Sequence, residues 1–398
     1  MNRVLFVDND SKSFGPTISM NYILSELNNQ GFEITLLTPK TESLTQEYSE
    51  AGIRVIHLQK ELYLSLHFTN IFKFYTLKGL FFYLQTILRF VTGTIYATKI
   101  IRDVKPNLVY VNEYVFVQFA IAAKILNIPA VTHIRSPFIK GSFGVRRKIL
   151  SRILLMSNLK IFAITNCEAE QISSFHYDKK KIIVIREFLN TDNFLTNSDT
   201  EKIKCEFAIP PNEKVLLMLG GVDQTKGTAT LIESFALLKK NFKNVQLIVA
   251  GHQTKTRTNE QYWKLCQNII LKNNLTESVK IIPFCTRVVE LIAIADVIIS
   301  SSISSHFSRP MIEAWAQKKP VVISQTRHAL EFAVHGINAM TYPANDSLGL
   351  YEQLKLILTD TELREQISLG GYRTAQKYFN SNNNISLLIK VIKSIVEV

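Results

Sequence analysis

Runs of β-branched and other apolar residues recur along the 398-residue chain, separated by longer stretches whose apolar positions return every three or four residues. Short apolar runs read as buried strands, and the 3.6-residue period reads as amphipathic helix. In the first half the runs predict strands near 4–7, 34–37, 54–57, 108–111, 130–133, 161–164 and 182–185. In the second half they predict strands near 214–219, 246–250, 279–282, 297–300 and 321–324, with a short one near 339–342. Alternating strand and helix give parallel sheets covered by helices on both faces. The length exceeds one ordinary core, so two α/β domains are expected, meeting at a ligand-binding cleft. The polar stretch T-N-S-D-T-E-K at 196–202 is the best linker candidate.

One region breaks the alternation. Residues 61–104 are rich in Leu, Phe, Tyr and Ile, and Lys73, Lys78, Arg89, Lys99 and Arg102 interrupt them. At about 100° per residue, Lys78, Gln85, Arg89, Thr92, Lys99 and Asp103 fall on one stripe. The uncharged runs are shorter than the roughly 18–20 residues of a spanning helix. Two readings stand: a pair of core helices with one wet side, or a surface that dips into a bilayer from one side. The stretch 144–154 adds Arg146, Arg147, Lys148 and Arg152, which suit anionic lipid head groups or an ordinary solvated helix face.

Charge sharpens this picture. The net charge is +13, and residues 1–187 hold 23 Lys and Arg against 14 Asp and Glu, so the first half is the more basic. An anionic partner of that half is expected, with a membrane surface favoured over nucleic acid because no recognition module is present. Cys167, Cys205, Cys266 and Cys285 form no C-x-x-C pair, which argues against a disulfide frame and a zinc site. The first strand reaches Asp8 too early for a signal peptide, so a cytoplasmic place is expected. Asp8 and Asp10 form a D-x-D, read as loop residues after strand one, and no metal is expected. Neither a nucleophile elbow nor a Cys/His pair points to hydrolysis.

The chemistry gathers in the second half. S-S-H-F-S-R-P-M-I-E-A at 304–314 follows one apolar strand and precedes another. Pro310 suits the first turn of a helix, so the loop delivers a helix N-terminus to the C-terminal edge of a parallel sheet, where phosphates bind. Glu313, one turn in, is placed either to accept hydrogen bonds from a vicinal diol or to balance the helix dipole. L-G-G-V-D-Q-T-K-G at 219–227 follows another strand. Gly220 and Gly221 permit close backbone approach, and Lys226 can neutralise a diphosphate. The spacing does not fit a P-loop.

These stretches, with V-A-G-H at 249–252, V-K-I-I-P-F at 279–284, I-A-D-V-I-I-S-S-S at 294–302 and K-P-V-V-I-S at 319–324, resemble glycosyltransferase family 4, group 1 glycosyl transferases of the GT-B fold. The first half resembles it more loosely, through Gly15, V-K-P-N-L-V-Y-V-N at 104–112, P-A-V-T-H-I-R at 129–135 and K-I-I-V-I-R-E-F-L-N at 181–190. The resemblance implies that Lys226 binds the donor diphosphate and Glu313 the ribose diol. It implies that Gly15 approaches the diphosphate, that His133 lies near the transferred sugar, and that Phe307 and Ser308 belong to the loop around sugar and β-phosphate. A histidine at a strand end, taken alone, is ordinarily structural. Two positions depart from the pattern: the usual arginine is Gly221, and the first of two glutamates eight apart is Ser305. Each lost charge-assisted hydrogen bond costs about 1.5–3 kcal/mol. Arg309 either reaches the phosphates instead or pairs with Glu313 at i,i+4.

The expected architecture is therefore α/β, with two Rossmann-like doubly wound parallel-sheet domains in the GT-B arrangement. Residues 1–190 would bind the acceptor, 191–375 the nucleotide sugar, and 376–398 would form a C-terminal helix packing back on the first domain. The implied activity is retaining transfer of a sugar from a nucleotide diphosphate donor to a lipid-linked or cell-surface glycan, without cofactor or metal, by a peripheral protein on the inner face of the cell membrane. The alternatives are a nucleotide-sugar 2-epimerase of the same fold and a catalytically weak sugar-nucleotide-binding subunit.

Overall fold

The computed structural model describes residues 2–8, 15–38, 46, 48–58, 76–138, 144–173, 179–189, 194, 199–251, 257–283 and 285–397. The chain forms two compact units, Met1–Glu187 with Asn383–Val398, and Phe188–Asn382. All the strands read from the sequence are present, within about a residue at each end. Unit 1 holds a seven-stranded sheet: β1 (Arg3–Val7), β2 (Glu33–Thr38), β3 (Arg54–His57), β4 (Leu108–Asn112), β5 (Ala130–Ile134), β6 (Lys160–Ala163) and β7 (Ile182–Val184), in the order β3-β2-β1-β4-β5-β6-β7. Unit 2 holds six: β8 (Lys214–Leu219), β9 (Val245–Ala250), β10 (Val279–Ile282), β11 (Val297–Ser300), β12 (Val321–Ser324) and β13 (Met340–Tyr342), in the order β10-β9-β8-β11-β12-β13. Every pairing is parallel.

In each sheet the first strand sits beside a strand reached by a long crossover: β1 beside β4, β8 beside β11. The strand order reverses there, so the loops leaving the two strands diverge and leave a crevice at their C-terminal ends. The strands read as continuous apolar runs because both faces are covered. In unit 2 Val215, Leu217, Ile248, Ile298 and Ile323 pack with the helices Val288–Ile294 and Arg309–Ala316. The intervening Leu216, Met218, Leu247, Val249, Val297 and Ile299 pack with the helices Thr228–Asn241, Arg257–Lys272 and Ser347–Thr359. That is the period-two alternation of a strand buried on two sides.

The greasy segment differs from one of its two readings. Its described part is one 28-residue helix, Leu77–Val104, not a pair of core helices. Thr76 caps its start, accepting from Gly79 N at 3.0 Å. Only its last turns enter the unit 1 core, through Ala97, Ile101 and Val104. Further up, Leu77, Leu80, Phe81, Leu84, Ile87, Leu88, Val91 and Ile95 are exposed, Leu77 at 88% and Phe81 at 70%. By length and composition alone Gly79–Val104 suffices to cross a membrane, and 12% of its most apolar window is buried, whereas a soluble core helix would be mostly buried. Residues 61–75 lie outside the described part.

The chain ends in two helices, Thr361–Phe379 and Ser381–Val396. Leu388, Ile389, Ile392 and Ile395 of the second are buried, and Lys393 Nζ donates to Gln30 Oε1 in unit 1 at 2.6 Å. Of the polar stretch at 196–202, residues 196–198 lie outside the described part; Asp199 caps the short helix Thr200–Glu206.

Candidate active site

The crevice at the ends of β8 and β11 gathers most of the residues singled out in the second half. Gly220 N and Gly221 N both donate to Ala250 O, at 2.8 and 3.0 Å, which turns the chain sharply out of the sheet. Gly221 has φ +70°, a left-handed backbone that residues with a Cβ disfavour. An arginine at this position would strain the turn as this chain makes it. The chain then makes a short 3-10 turn, Gln224–Lys226, whose leading Asp223 accepts from Thr225 N at 2.7 Å.

This turn is fastened to the loop after β11. Ser301 Oγ donates to Lys226 O at 2.9 Å, and Ile303 N donates to Thr225 O at 2.9 Å. Gly227 makes the approach possible: a Cβ there would meet Ser301 O at 2.1 Å, and its φ of +67° is also left-handed. The Lys226 side chain is thereby held over Ser300, Ser301, Ser302, His306 and Ser308, around a cavity of about 30 Å³. Burial lowers the pKa of Lys226, and Asp223 opposes that shift. Lys226 Nζ is hydrogen-bonded to His306 Nε2.

Ser308 stands at the N-cap position of the helix Arg309–Ala316 without a side-chain capping bond, and the helix carries Pro310 in its first turn. Pro310 has no N–H, and Met311 N donates to Ser308 O at 3.2 Å, so the helix start offers fewer amides to an anion than its sequence suggests. Ser308 Oγ lies 3.1 Å from Ser300 Oγ. Arg309 Nε donates to Glu313 Oε1 at 2.8 Å, both side chains largely buried; of the two roles open to Arg309, the structure takes the pairing. The Phe307 ring joins the core beside Phe332 and Phe379, leaving its backbone for the loop. Ser305 Oγ is 2.7 Å from Nδ1 of His328, a buried residue after β12.

Gly15 and His133 belong to unit 1. Gly15 opens the helix Gly15–Asn29. His133 is 1% exposed, its Nδ1 2.6 Å from the Tyr110 hydroxyl and its ring edge-on to Phe162. Burial first, then the Arg135 guanidinium, holds its pKa well below the ordinary histidine value, so the imidazole is neutral. At the β1/β4 crevice Asn112 Nδ2 donates to Asp8 Oδ1 at 2.7 Å, and Arg135 Nε donates to Asn112 Oδ1 at 2.8 Å. Arg135 also pairs with Glu187, which accepts from Ser19 Oγ at 2.5 Å. Asp8 is thus engaged by Asn112; Asp10 lies outside the described residues. No group of three or more His, Cys, Asp or Glu able to hold a metal occurs among the described residues. Of the basic cluster, Lys148 and Arg152 are exposed beside Val145, Ile149 and Met156, while Arg146 and Arg147 are half-buried, so the cluster presents fewer charges than its sequence suggests.

Sequence reasoning missed two residues. His306 lies inside a quoted motif, but nothing in the spacing tied it to Lys226, 80 positions away. Glu113 has φ +99° and ψ +138°, a backbone nearly confined to glycine. Its carboxylate accepts from Tyr114 N at 2.9 Å and Arg135 N at 3.3 Å, and burial pushes its pKa up to about 7.

Two family models divide the chain between them, Glycosyltransferase Family 4 over residues 15–193 and Glycosyl transferases group 1 over 199–374. The chain belongs to the family 4, group 1 glycosyltransferases. It is similar to EpsD of Bacillus subtilis strain 168, 24% identical over 192 residues, 48% of this chain and 49% of that protein. The chain thus matches about half the length of that relative. It is also similar to the capsular polysaccharide biosynthesis glycosyltransferase CapM of Staphylococcus aureus, 22% identical over 264 residues, 64% of this chain and 67% of that one. Among solved structures, Anabaena Alr3699/HepE in complex with UDP and glucose superposes with TM-score 0.79 at 18% identity, covering 99% of this chain and 100% of that chain. A glycosyltransferase from Rickettsia africae ESF-5 gives 0.79 at 20% identity, covering 99% and 98%. These likenesses are of fold, the GT-B α/β architecture.

Proposed function

We propose that this glycosyltransferase moves a sugar, with retention, from a nucleotide diphosphate donor to a lipid-linked acceptor in the assembly of a cell-surface polysaccharide. The observation that carries the donor half is Lys226, desolvated and fastened over the serine loop at the β8/β11 crevice. In the reaction the bond from the anomeric carbon to the diphosphate breaks, and a bond from the acceptor oxygen forms on the same face. The acceptor proton passes to the departing diphosphate. The protein's share is electrostatic: an ammonium in a dry site stabilises the developing charge better than one in water. The positive charge at the diphosphate comes from Lys226 and not from a metal, so activity persists in excess EDTA. HepE, solved in complex with UDP and glucose and with UDP-glucose, supports a uridine donor as the first to test.

The acceptor half rests on two exposed features of unit 1: the apolar face of Leu77–Ile95, and Lys148 and Arg152 beside Val145, Ile149 and Met156 on their own helix. Apolar side chains next to cations suit an anionic bilayer, which supports a peripheral position on the inner face of the cell membrane. CapM supports polysaccharide assembly, and the pyrophosphoryl-undecaprenol N-acetylglucosamine transferase of Thermoanaerobacter sp. strain X514, 26% identical over 220 residues, supports a lipid-linked acceptor.

A thermal-shift screen against UDP-, GDP- and dTDP-sugars tests the donor, since a ligand of the folded state raises the melting temperature. A selective shift followed by sugar transfer to a polyprenyl-linked acceptor is expected. Release of a 2-epimer without acceptor would instead establish an isomerase, and a shift with no turnover a binding subunit. Pelleting with anionic but not neutral vesicles, lost on Leu84→Glu with Leu88→Glu, is expected for the membrane surface. Failure to pellet at low salt would leave a soluble acceptor.

A further inference from the structure

His306 touches Lys226 yet has no role so far. It lies on the loop between β11 and the helix Arg309–Ala316. Its Nδ1 is 2.9 Å from Ser304 O. A carbonyl only accepts, so Nδ1 carries the hydrogen of the neutral ring and Nε2 presents its lone pair. Lys226 therefore donates to Nε2. The cavity beside this contact, about 30 Å³, has room for one or two waters and none for a diphosphate. A diphosphate at Lys226 competes with His306 for the ammonium. It would then set anionic oxygens beside the Nε2 lone pair, acceptor against acceptor. A proton on Nε2 turns that repulsion into a charge-assisted hydrogen bond.

We propose that His306 is a second ligand of the donor diphosphate, taking a proton on Nε2 as the diphosphate draws Lys226 away, and so supplying the cationic contact that Gly221 lacks. This rests on the donor-site reading above. The groups that face His306 are Lys226 and Asp223 from the turn after β8 and His328 from the loop after β12. Burial and then the Lys226 ammonium hold its pKa down at about 4, with His328 acting the same way and Ser304 O and Asp223 opposing. A bound dianion raises that pKa. Between the free and bound values, binding takes up a proton, so affinity rises as pH falls and levels off below about 4.

The test is titration calorimetry with UDP-glucose, or GDP-mannose where that gives the larger thermal shift. Both phosphates of a nucleotide sugar are diesters and do not titrate near neutrality, unlike the terminal phosphate of a free nucleotide, with a pKa of about 6. Heats measured at pH 6.5 in two buffers of different ionisation enthalpy should report net proton uptake by the wild type, with Kd about 3–10-fold tighter at pH 6 than at pH 8. His306→Gln should fold, bind about 10-fold more weakly at pH 6 and show neither proton uptake nor the pH trend. His306→Arg, permanently charged, should bind without uptake and regain affinity at pH 8. Buffer-independent heats in the wild type, or uptake that survives in His306→Gln, would overturn the inference and leave the donor site standing. Wild-type affinity in Lys226→Ala, or no binding of any nucleotide sugar, would overturn the donor site itself and His306 with it.

Discussion

The two sheets reverse strand order in the same way, and each brings a polar cluster to the reversal, but the clusters are built for opposite ends. At β1/β4, Ser19, Glu187, Arg135, Asn112 and Asp8 are joined in a chain of hydrogen bonds with one cation between two carboxylates, and Arg135 Nη2 is buried without a partner among the described residues. At β8/β11, Lys226 leans on a neutral histidine, among serines and without a carboxylate contact to its ammonium in any described bond. The first arrangement pairs its cation with a carboxylate and holds structure. The second keeps a desolvated positive charge that an anion can claim. Topology supplies the crevice in both; the residues at the strand ends decide whether it is sealed or left chargeable.

The comparison breaks most sharply at Arg135. Removing one partner of a buried pair strands the other charge, so Arg135→Ala should lose about 3–5 kcal/mol of stability in urea denaturation. A loss below about 1 kcal/mol would mean the unit 1 cluster is not a structural network. Lys226→Ala should do the reverse. Transfer should fall about 100-fold or more, near 2.7 kcal/mol, while the melting temperature holds, because a buried ammonium is already a desolvation burden. A folded variant with kcat/KM within threefold of wild type would remove Lys226 from the chemistry. Gly227→Ala sharpens the same contrast from the backbone side. The added methyl meets Ser301 O at 2.1 Å, which should part the turn from the serine loop and cost about 1–3 kcal/mol with a raised donor KM. Unchanged melting and KM would show that the fastening is dispensable.

The sheets were legible in the sequence because each strand is an apolar run bounded by turn residues, as burial on both faces demands. The β8/β11 crevice was legible for a related reason: Gly220, Gly221, Lys226, Ser308 and Glu313 sit in contiguous motifs at strand ends. Pairings across the chain were not. The contacts of Lys226 with His306 and of Ser305 with His328 join separate loops, and no local period encodes them. The helix Leu77–Val104 was ambiguous because its composition suits both a core and a lipid surface. Only the packing of neighbours decides which face is covered, and here the apolar face of its first turns is not. Arg146 and Arg147 illustrate the converse, charges that a sequence places on a surface but the fold half-buries.

The smallest expected effect lies at Glu113, where the unit 1 crevice is not fully sealed. Its carboxyl is held in a strained backbone, and burial raises its pKa from the model-peptide value of 4.5 to about 7. A carboxyl whose folded pKa is raised favours the folded state most when it is protonated. Stability from this group is therefore fully present below about pH 4.5 and is lost as pH rises toward 7. Across that window the wild type should lose about 1–3 kcal/mol relative to Glu113→Gln, which cannot ionise. The difference between the two stability–pH curves isolates this group, because every other titration is shared and any constant cost of the amide shifts a curve without bending it. Parallel curves from pH 4 to 8 would mean that water reaches the carboxylate and that the site is as open as the one at Lys226. A wild type that falls away above pH 5 relative to Glu113→Gln would mark Glu113 as a group in this crevice able to hold or release a proton near neutrality.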